Sequence, residues 1–140
     1  MSAITDLDTL LGSMSPLASD GLYVFCCIPD GRYGAHAALE PVASFQEKEG
    51  LTLILRQPAA DSAGLAYDGV FAMITLNVHS SLAAVGLTAA VATELTTSGI
   101  SANVLAAYCH DHVFVPVARA DQALAVLTAL AQRHAGNSAA

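Results

Sequence analysis

Two short stretches bring together side chains able to do chemistry. One is His79-Ser80-Ser81, an imidazole beside two hydroxyls; the other is His110-Asp111-His112, two imidazoles around a carboxylate. Cys26-Cys27 and Cys109 add three thiols. A hydroxyl and an imidazole become a nucleophile–base pair only when a third group orients the base. No Asp is placed to orient His79, and the chain has no Gly-x-Ser-x-Gly elbow. Imidazoles and a carboxylate are good metal ligands, but 110–112 reads as a hairpin turn, where flanking side chains need not converge. The adjacent cysteines point to opposite faces of a strand, form no Cys-x-x-Cys, and lack a basic neighbour to lower a thiol pKa. Gly-x-Gly-x-x-Gly, Gly-x4-Gly-Lys-Ser/Thr and His-Glu-x-x-His are also absent. These residues therefore point away from catalysis, and they imply neither a metal nor a cofactor.

They do suit binding. A loop that leaves a strand and opens a helix exposes unpaired backbone N–H groups, which favour a carboxylate. Ser80 and Ser81 would add hydroxyls there, or serve only as helix caps. Gly86 would let another backbone approach the first turn, or simply pack helix against sheet. Asn103, at the start of the next strand, offers an amide that both donates and accepts.

The elements that must hold these groups follow from periodicity and turn chemistry. Leu7, Leu10, Leu11 and Met14 recur at helical spacing over residues 5–14, with Thr5 as the expected cap and Ser15-Pro16 as the stop. Residues 22–28 read as a strand closed by Pro29-Asp30-Gly31, 32–40 as loop, and 42–45 and 51–55 as strands. Residues 57–64 read as a short helix or turn. In the second half, 70–78 reads as a strand and 82–98 as a helix stopped by Gly99. Residues 103–109 and 113–117 read as hairpin strands around the turn at 110–112. Residues 121–134 form the last expected helix and 136–140 a frayed tail. The second half is thus β-α-β-β-α, one strand short of a ferredoxin-like βαββαβ unit, and the N-terminal half has spare strands to supply it.

Composition bounds the partners. The 140 residues fit one domain or two very small subdomains. Only 12% are charged against the usual share of about 25%, while 54% are hydrophobic, so a large surface is hidden in a core or against another subunit. The net charge is −7, and Arg32, Lys48, Arg56, Arg119 and Arg133 are scattered. Nucleic acid and anionic membranes both demand clustered cations and are poor partners. Between Gly69 and Cys109 the only formal charge is Glu94, yet polar residues break the run well short of a membrane span. The acidic N-terminus, with Asp6 and Asp8, does not read as a signal peptide. Three thiols without a pairing pattern fit a reducing, cytoplasmic setting.

Four segments read together carry a family resemblance: Ile74-Thr75-Leu76, the run from His79 to Leu87, Gly99-Ile100-Ser101-Ala102-Asn103-Val104, and Tyr108 to Pro116. The chain resembles the ACT domain, the regulatory amino-acid-binding module of aspartokinases, and within it small stand-alone tandem proteins. The resemblance is detailed over 67–134 and general over 1–66. It implies an α+β, ferredoxin-like fold of two ACT-like subdomains, 1–66 and 67–140, with mainly antiparallel sheet and helices on one face. It also implies a ligand at a repeat or subunit interface, held by His79, Ser80, Ser81, Leu82, Val85, Gly86 and Leu87, with Ile100, Ser101, Asn103 and Val104 opposite. Where many ACT domains carry Gly-Val or Pro-Gly-Val, this loop carries Ser-Ser-Leu.

The expectation is a non-catalytic sensor module, a homodimer that binds an amino acid or similar carboxylate without a cofactor. Two other readings stand beside it: an interaction module with no metabolite, and a small enzyme using His79 or the His110/His112 pair.

Overall fold

The computed structural model describes residues 6–138, with side chains through 135. In chain order the first elements are α1 (Leu7–Ser13), β1 (Leu17–Ala18), β2 (Tyr23–Pro29), β3 (Ala43–Gln46), β4 (Gly50–Arg56) and α2 (Gln57–Ser62). They are followed by β5 (Phe71–Thr75), α3 (Leu87–Thr97), β6 (Asn103–Ala106), β7 (Asp111–Pro116) and α4 (Ala120–Ser138). The chain falls into two compact units, residues 20–71 and residues 6–19 with 72–138.

In the unit 20–71 the strand order is β3-β4-β2, with antiparallel pairs Val24↔Leu55, Cys26↔Leu53 and Ile28↔Leu51. Alternation along the strands turns Val24, Cys26, Leu51, Leu53 and Leu55 to one face, where they are buried with Ala60 of α2 and flanked by Ala35, Leu39, Leu65 and Tyr67. Each such side chain contributes roughly 1.5–3 kcal/mol on burial. Phe71 pairs with Tyr23 on the free side of β2, and its ring meets Phe25 edge-on at 5.3 Å. The unit therefore follows βαββαβ order, except that the first helix is reduced to a loop with a single 3-10 turn at Ala37–Leu39. This matches the loop expected at 32–40. The β3–β4 turn requires glycine: Gly50 has φ +151°, and a Cβ there would sit 2.3 Å from the Ile28 carbonyl oxygen.

In the unit 6–19 with 72–138 the strand order is β1-β5-β7-β6. The missing strand is supplied from the N-terminal side, as the spare strands implied, but by two residues the sequence pattern had not marked: Leu17 pairs with Thr75 and Ala18 with Ile74. Residues 6–19 group with the segment from 72 onward because β1 and α1 complete its sheet and core. Leu10 and Leu11 of α1, with Met14 at its C-terminal end, join Ala72, Ile74, Val113 and Val115 of the sheet. Val91 and Leu95 of α3 and Ala123, Leu127, Leu130 and Ala131 of α4 fill the same core.

Several boundaries move, each for a local reason. Asp6 caps α1 by accepting from the Thr9 N–H at 3.0 Å, which holds its carboxyl below the usual carboxylate range; Thr5, the expected cap, lies outside the described residues. The strand expected over 70–78 is regular only to Thr75, although the Leu76 N–H still donates to Asp111 O at 3.1 Å and Leu76 and Val78 remain buried. The helix expected from 82 starts at Leu87, because Gly86 stands before it at φ +104°. Its end is as expected: Gly99 has φ +71°, and the Ile100 N–H donates to Leu95 O at 2.9 Å. The Arg119 guanidinium then donates to Ser98 O at 3.0 Å and Gly99 O at 3.2 Å, placing a cation on the negative helix end. The tail expected at 136–140 remains helical through Ser138, and Ala139 and Ala140 lie outside the described residues.

Candidate functional site

The loop 76–86 does not simply bridge strand and helix. Ser81 makes a turn of its own, its Oγ accepting from the Ala83 N–H at 3.0 Å while its carbonyl accepts from Ala84 N–H at 2.9 Å. Ser80 and Ser81 therefore do not cap α3, contrary to one sequence reading. Gly86 occupies the cap position, and among the described residues no side chain caps the helix end. The first intrahelical bond at this end is Ala90 N–H to Gly86 O. The N–H groups of the opening turn are thus left without intrahelical partners, at the positive end of the helix.

That turn forms one wall of a cleft of about 460 Å³. Ser80, Ser81, Leu82 and Ala84 line it from the loop, Gly86, Leu87, Thr88, Ala89 and Ala92 from α3, and Ala106 and Asp111 from the β6–β7 hairpin. Five of the expected residues meet here: Ser80, Ser81, Leu82, Gly86 and Leu87. His79 and Val85 sit on the same loop but do not line the cleft, and Val85 is 82% exposed. The residues expected opposite, across a repeat or subunit interface, do not line the cleft of their own chain. Ile100 is buried in the core and Val104 packs against that core, while Ser101 and Asn103 are exposed. Strand alternation separates Asn103 from the cleft, because Asn103 and Leu105 share one face of β6 and Val104 and Ala106 the other.

The hairpin also differs from expectation. Its turn is Ala107-Tyr108-Cys109-His110, closed by Ala107 N–H to His110 O at 3.1 Å, so Asp111 and His112 lie in β7. Asp111 pairs with Ala106 and shares the face of Val113 and Val115, turned toward the helices. It is the buried charged side chain among the described residues, only 6% exposed. Burial pushes its carboxyl above the usual carboxylate range, and the nearby His112 and His110 imidazoles pull partly the other way. His112 lies on the opposite face, its Nδ1 2.9 Å from the Thr75 hydroxyl. Burial holds its pKa below the ordinary histidine value, His110 adds to that, and Asp111 opposes it. His110 Nδ1 lies 3.4 Å from Val78 O. The three residues thus diverge, and among the described residues no three His, Cys, Asp or Glu side chains gather into a metal-binding set. Asp111, Thr88 and Ala106 were missed as lining residues; the alternation Asp111, Val113, Val115 was the readable sign for the first.

The thiols are unpaired. Cys26 is buried, which raises its pKa, and Cys27 and Cys109 are exposed. Among the described residues no helix is long and apolar enough to cross a membrane.

Comparison with known proteins adds an independent line. Residues 2–72 match one sequence model of the ACT domain, and residues 71–129 match another. No curated protein matches. Among solved structures, a Vibrio cholerae protein of unknown function, described as a possible transport protein, is 52% identical. That match covers 90% of this chain and 96% of the other, with a TM-score of 0.82. An Agrobacterium tumefaciens protein superposes with a TM-score of 0.70 at 15% identity, over 84% and 89% of the two chains. The ligand-free regulatory subunit of aspartate kinase from Thermus thermophilus does so with a TM-score of 0.55 at 11% identity, over 82% and 95%. The last two likenesses speak for the fold.

Proposed function

The chain belongs to the ACT-domain family as two tandem ACT domains of ferredoxin-like α+β fold, and from that premise we propose that it is a non-catalytic regulatory module that binds an amino acid or similar carboxylate. The observation that carries this reading is the cleft over the opening turn of α3, where unpaired N–H groups meet the Ser80 and Ser81 loop. Ligand binding there would act on a partner through its differential affinity for two arrangements of the loop.

The working form is a homodimer in the cytoplasm. Edge strand β6 ends the strand order of its unit, so a second copy can present its 101–104 segment to the cleft, giving Ser101, Asn103 and Val104 the role the family resemblance implies. The three free thiols, two of them exposed, fit a reducing compartment.

A thermal-shift screen against the twenty amino acids and related carboxylates tests the reading. Ligand at about 100 times its dissociation constant adds about 2.7 kcal/mol, a rise of roughly 5–10 °C for a chain of this size. Ser81→Ala should weaken the response without lowering the melting point of the free protein by more than about 2 °C. No response to any compound would reject a metabolite sensor. It would favour the second reading, an interaction module, which the exposed Leu82, Val85 and Tyr108 support. That reading expects a tight homo-oligomer in sedimentation experiments whatever small molecule is present.

A further inference from the structure

Asp111 is the ionisable side chain among the described residues that line the cleft. It is 94% buried by the complement of its 6% exposure, yet its carboxylate makes no hydrogen bond or ion pair within the described structure. Among the described residues no buried side-chain oxygen or nitrogen is left both solvent-excluded and unbonded. The Asp111 oxygens therefore keep their access through the cleft, on the face they share with Ala106. A carboxylate held in this way, without a partner, costs stability. Its environment provides no reward for that cost: the surrounding lining is hydroxyl and alkyl, from Ser80, Ser81, Thr88, Ala89 and Ala92.

We propose that Asp111 is the recognition element for a ligand ammonium, so that the cleft selects a zwitterion: carboxylate on the opening turn of α3, primary amine on Asp111. The inference rests on the cleft being the ligand site, as proposed above, and narrows the ligand class. A simple carboxylate would place a second negative charge beside Asp111 in a poorly solvated cleft and be repelled. A simple amine would leave the α3 N–H groups unmatched. A free α-amino acid satisfies both ends and brings no net charge into the cleft. The burial that raises the Asp111 pKa in the empty protein is relieved once an ammonium sits against it, because an opposite charge favours the ionised form. Of the charged or titratable neighbours, His110 and His112 flank it on its own hairpin, and the loop and α3 contribute none to the lining.

The experiment is a calorimetric titration of the full chain with the twenty amino acids, and with the N-acetyl derivative and the 2-hydroxy analogue of each one that binds. The wild-type protein should lose at least about 10-fold in affinity when the amine is acetylated or replaced by hydroxyl. Asp111→Asn should lose a similar factor for the free amino acid and should no longer discriminate against the acetylated form. Its free-state melting point reports that it is folded; should it not fold, the wild-type comparison alone decides. Equal binding of free and acetylated compounds to the wild type, or full discrimination retained in Asp111→Asn, would overturn the role of Asp111. If the compounds then still protect the amides of residues 80–89 from hydrogen exchange, the cleft remains a carboxylate site and only the ammonium assignment is lost. Absence of binding by every compound would overturn both.

Discussion

Replacing Gly86 by alanine tests the turn that shapes the cleft. Gly86 has φ +104° and ψ −16°, a conformation that costs an L-residue about 1–2 kcal/mol. A Cβ there would also lie 3.0 Å from Leu7 Cδ2, 3.6 Å from Cδ1 and 3.8 Å from Cγ. These are the far atoms of a flexible side chain, so Leu7 gives way by a few tenths of an ångström or rotates, at about 0.5–1.5 kcal/mol. Alanine also reduces the freedom of the unfolded chain, which offsets about 0.4–1 kcal/mol. The net loss is about 0.5–3 kcal/mol, a fall of roughly 2–10 °C in melting temperature. Gly99→Ala is the internal control: its φ is +71° and nothing lies within 4 Å of the new Cβ. It should show the backbone cost alone, so Gly86→Ala should exceed it by about 0.5–1.5 kcal/mol. Urea melts of both variants measure the difference, and a cycle with Leu7→Ala should remove the excess, since only that excess depends on Leu7. Gly86→Ala as stable as the wild type would refute the reasoning. The helix would then begin upstream, near 82, where the apolar spacing of Leu82, Val85 and Leu87 first suggested.

Gly50→Ala should be costlier, about 2–5 kcal/mol, because its Cβ meets the Ile28 backbone oxygen at 2.3 Å and neither strand can yield without breaking the β2–β4 register; a melting point within 3 °C of wild type would contradict the hairpin geometry. Asp111 and His112 give opposite pH slopes. The Asp111 pKa is raised in the fold, so the folded state binds that proton more readily and stability falls as pH rises from the ordinary value of about 3.9 through the raised one. Asp111→Asn should therefore gain stability over wild type above that window, with the gap closing as pH falls below about 4. The His112 pKa is lowered, so the unfolded state takes the proton first and stability is lost as pH falls below about 6.5; His112→Gln should flatten that limb. Melting curves from pH 4 to 8 check both, and parallel curves for wild type and variants would reject the burial argument.

The architecture was legible where long-range patterning was strong. Leu87, Val91 and Leu95, and Leu124 to Leu130, have helical spacing that survives in α3 and α4, and the Gly99-Ile100 stop is where it was read. Errors arose where one residue's backbone decides. Leu82-Ala83-Ala84-Val85 has helix-forming composition, but a glycine at φ +104° directly before Leu87 ends any continuous helix from 82. β1 has only two residues, and Leu17-Ala18 after Ser15-Pro16 carries no period to detect. The cleft was half legible: the loop and the opening of α3 could be read from sequence, whereas Asp111 was assigned to a turn. Tyr108 and Cys109 look like strand residues, so the turn was shifted toward the polar residues that follow them. Asn103 is a different case: strand alternation turns it to the other face of β6 from the cleft of its own chain, which leaves open its expected place across an interface.

The pairing of residue 17 with residue 75 makes the second ACT domain non-contiguous along the chain. During vectorial synthesis, α1 and β1 leave the ribosome before the intervening ACT domain and find their sheet only after all of it has emerged. Until then β1 has no strand to pair with, and β5, once out, depends on β1 to cover its free edge. A fragment beginning at residue 67 should for the same reason expose that edge, lose the α1 contribution to the core and associate. The ends of this unit nevertheless meet, with Asp8 Oδ1 and His134 Nδ1 at 2.7 Å. A circular permutant that carries residues 6–19 behind α4 on a short linker would therefore restore a contiguous βαββα-αβ order, and the second domain could then close as soon as its own sequence was complete.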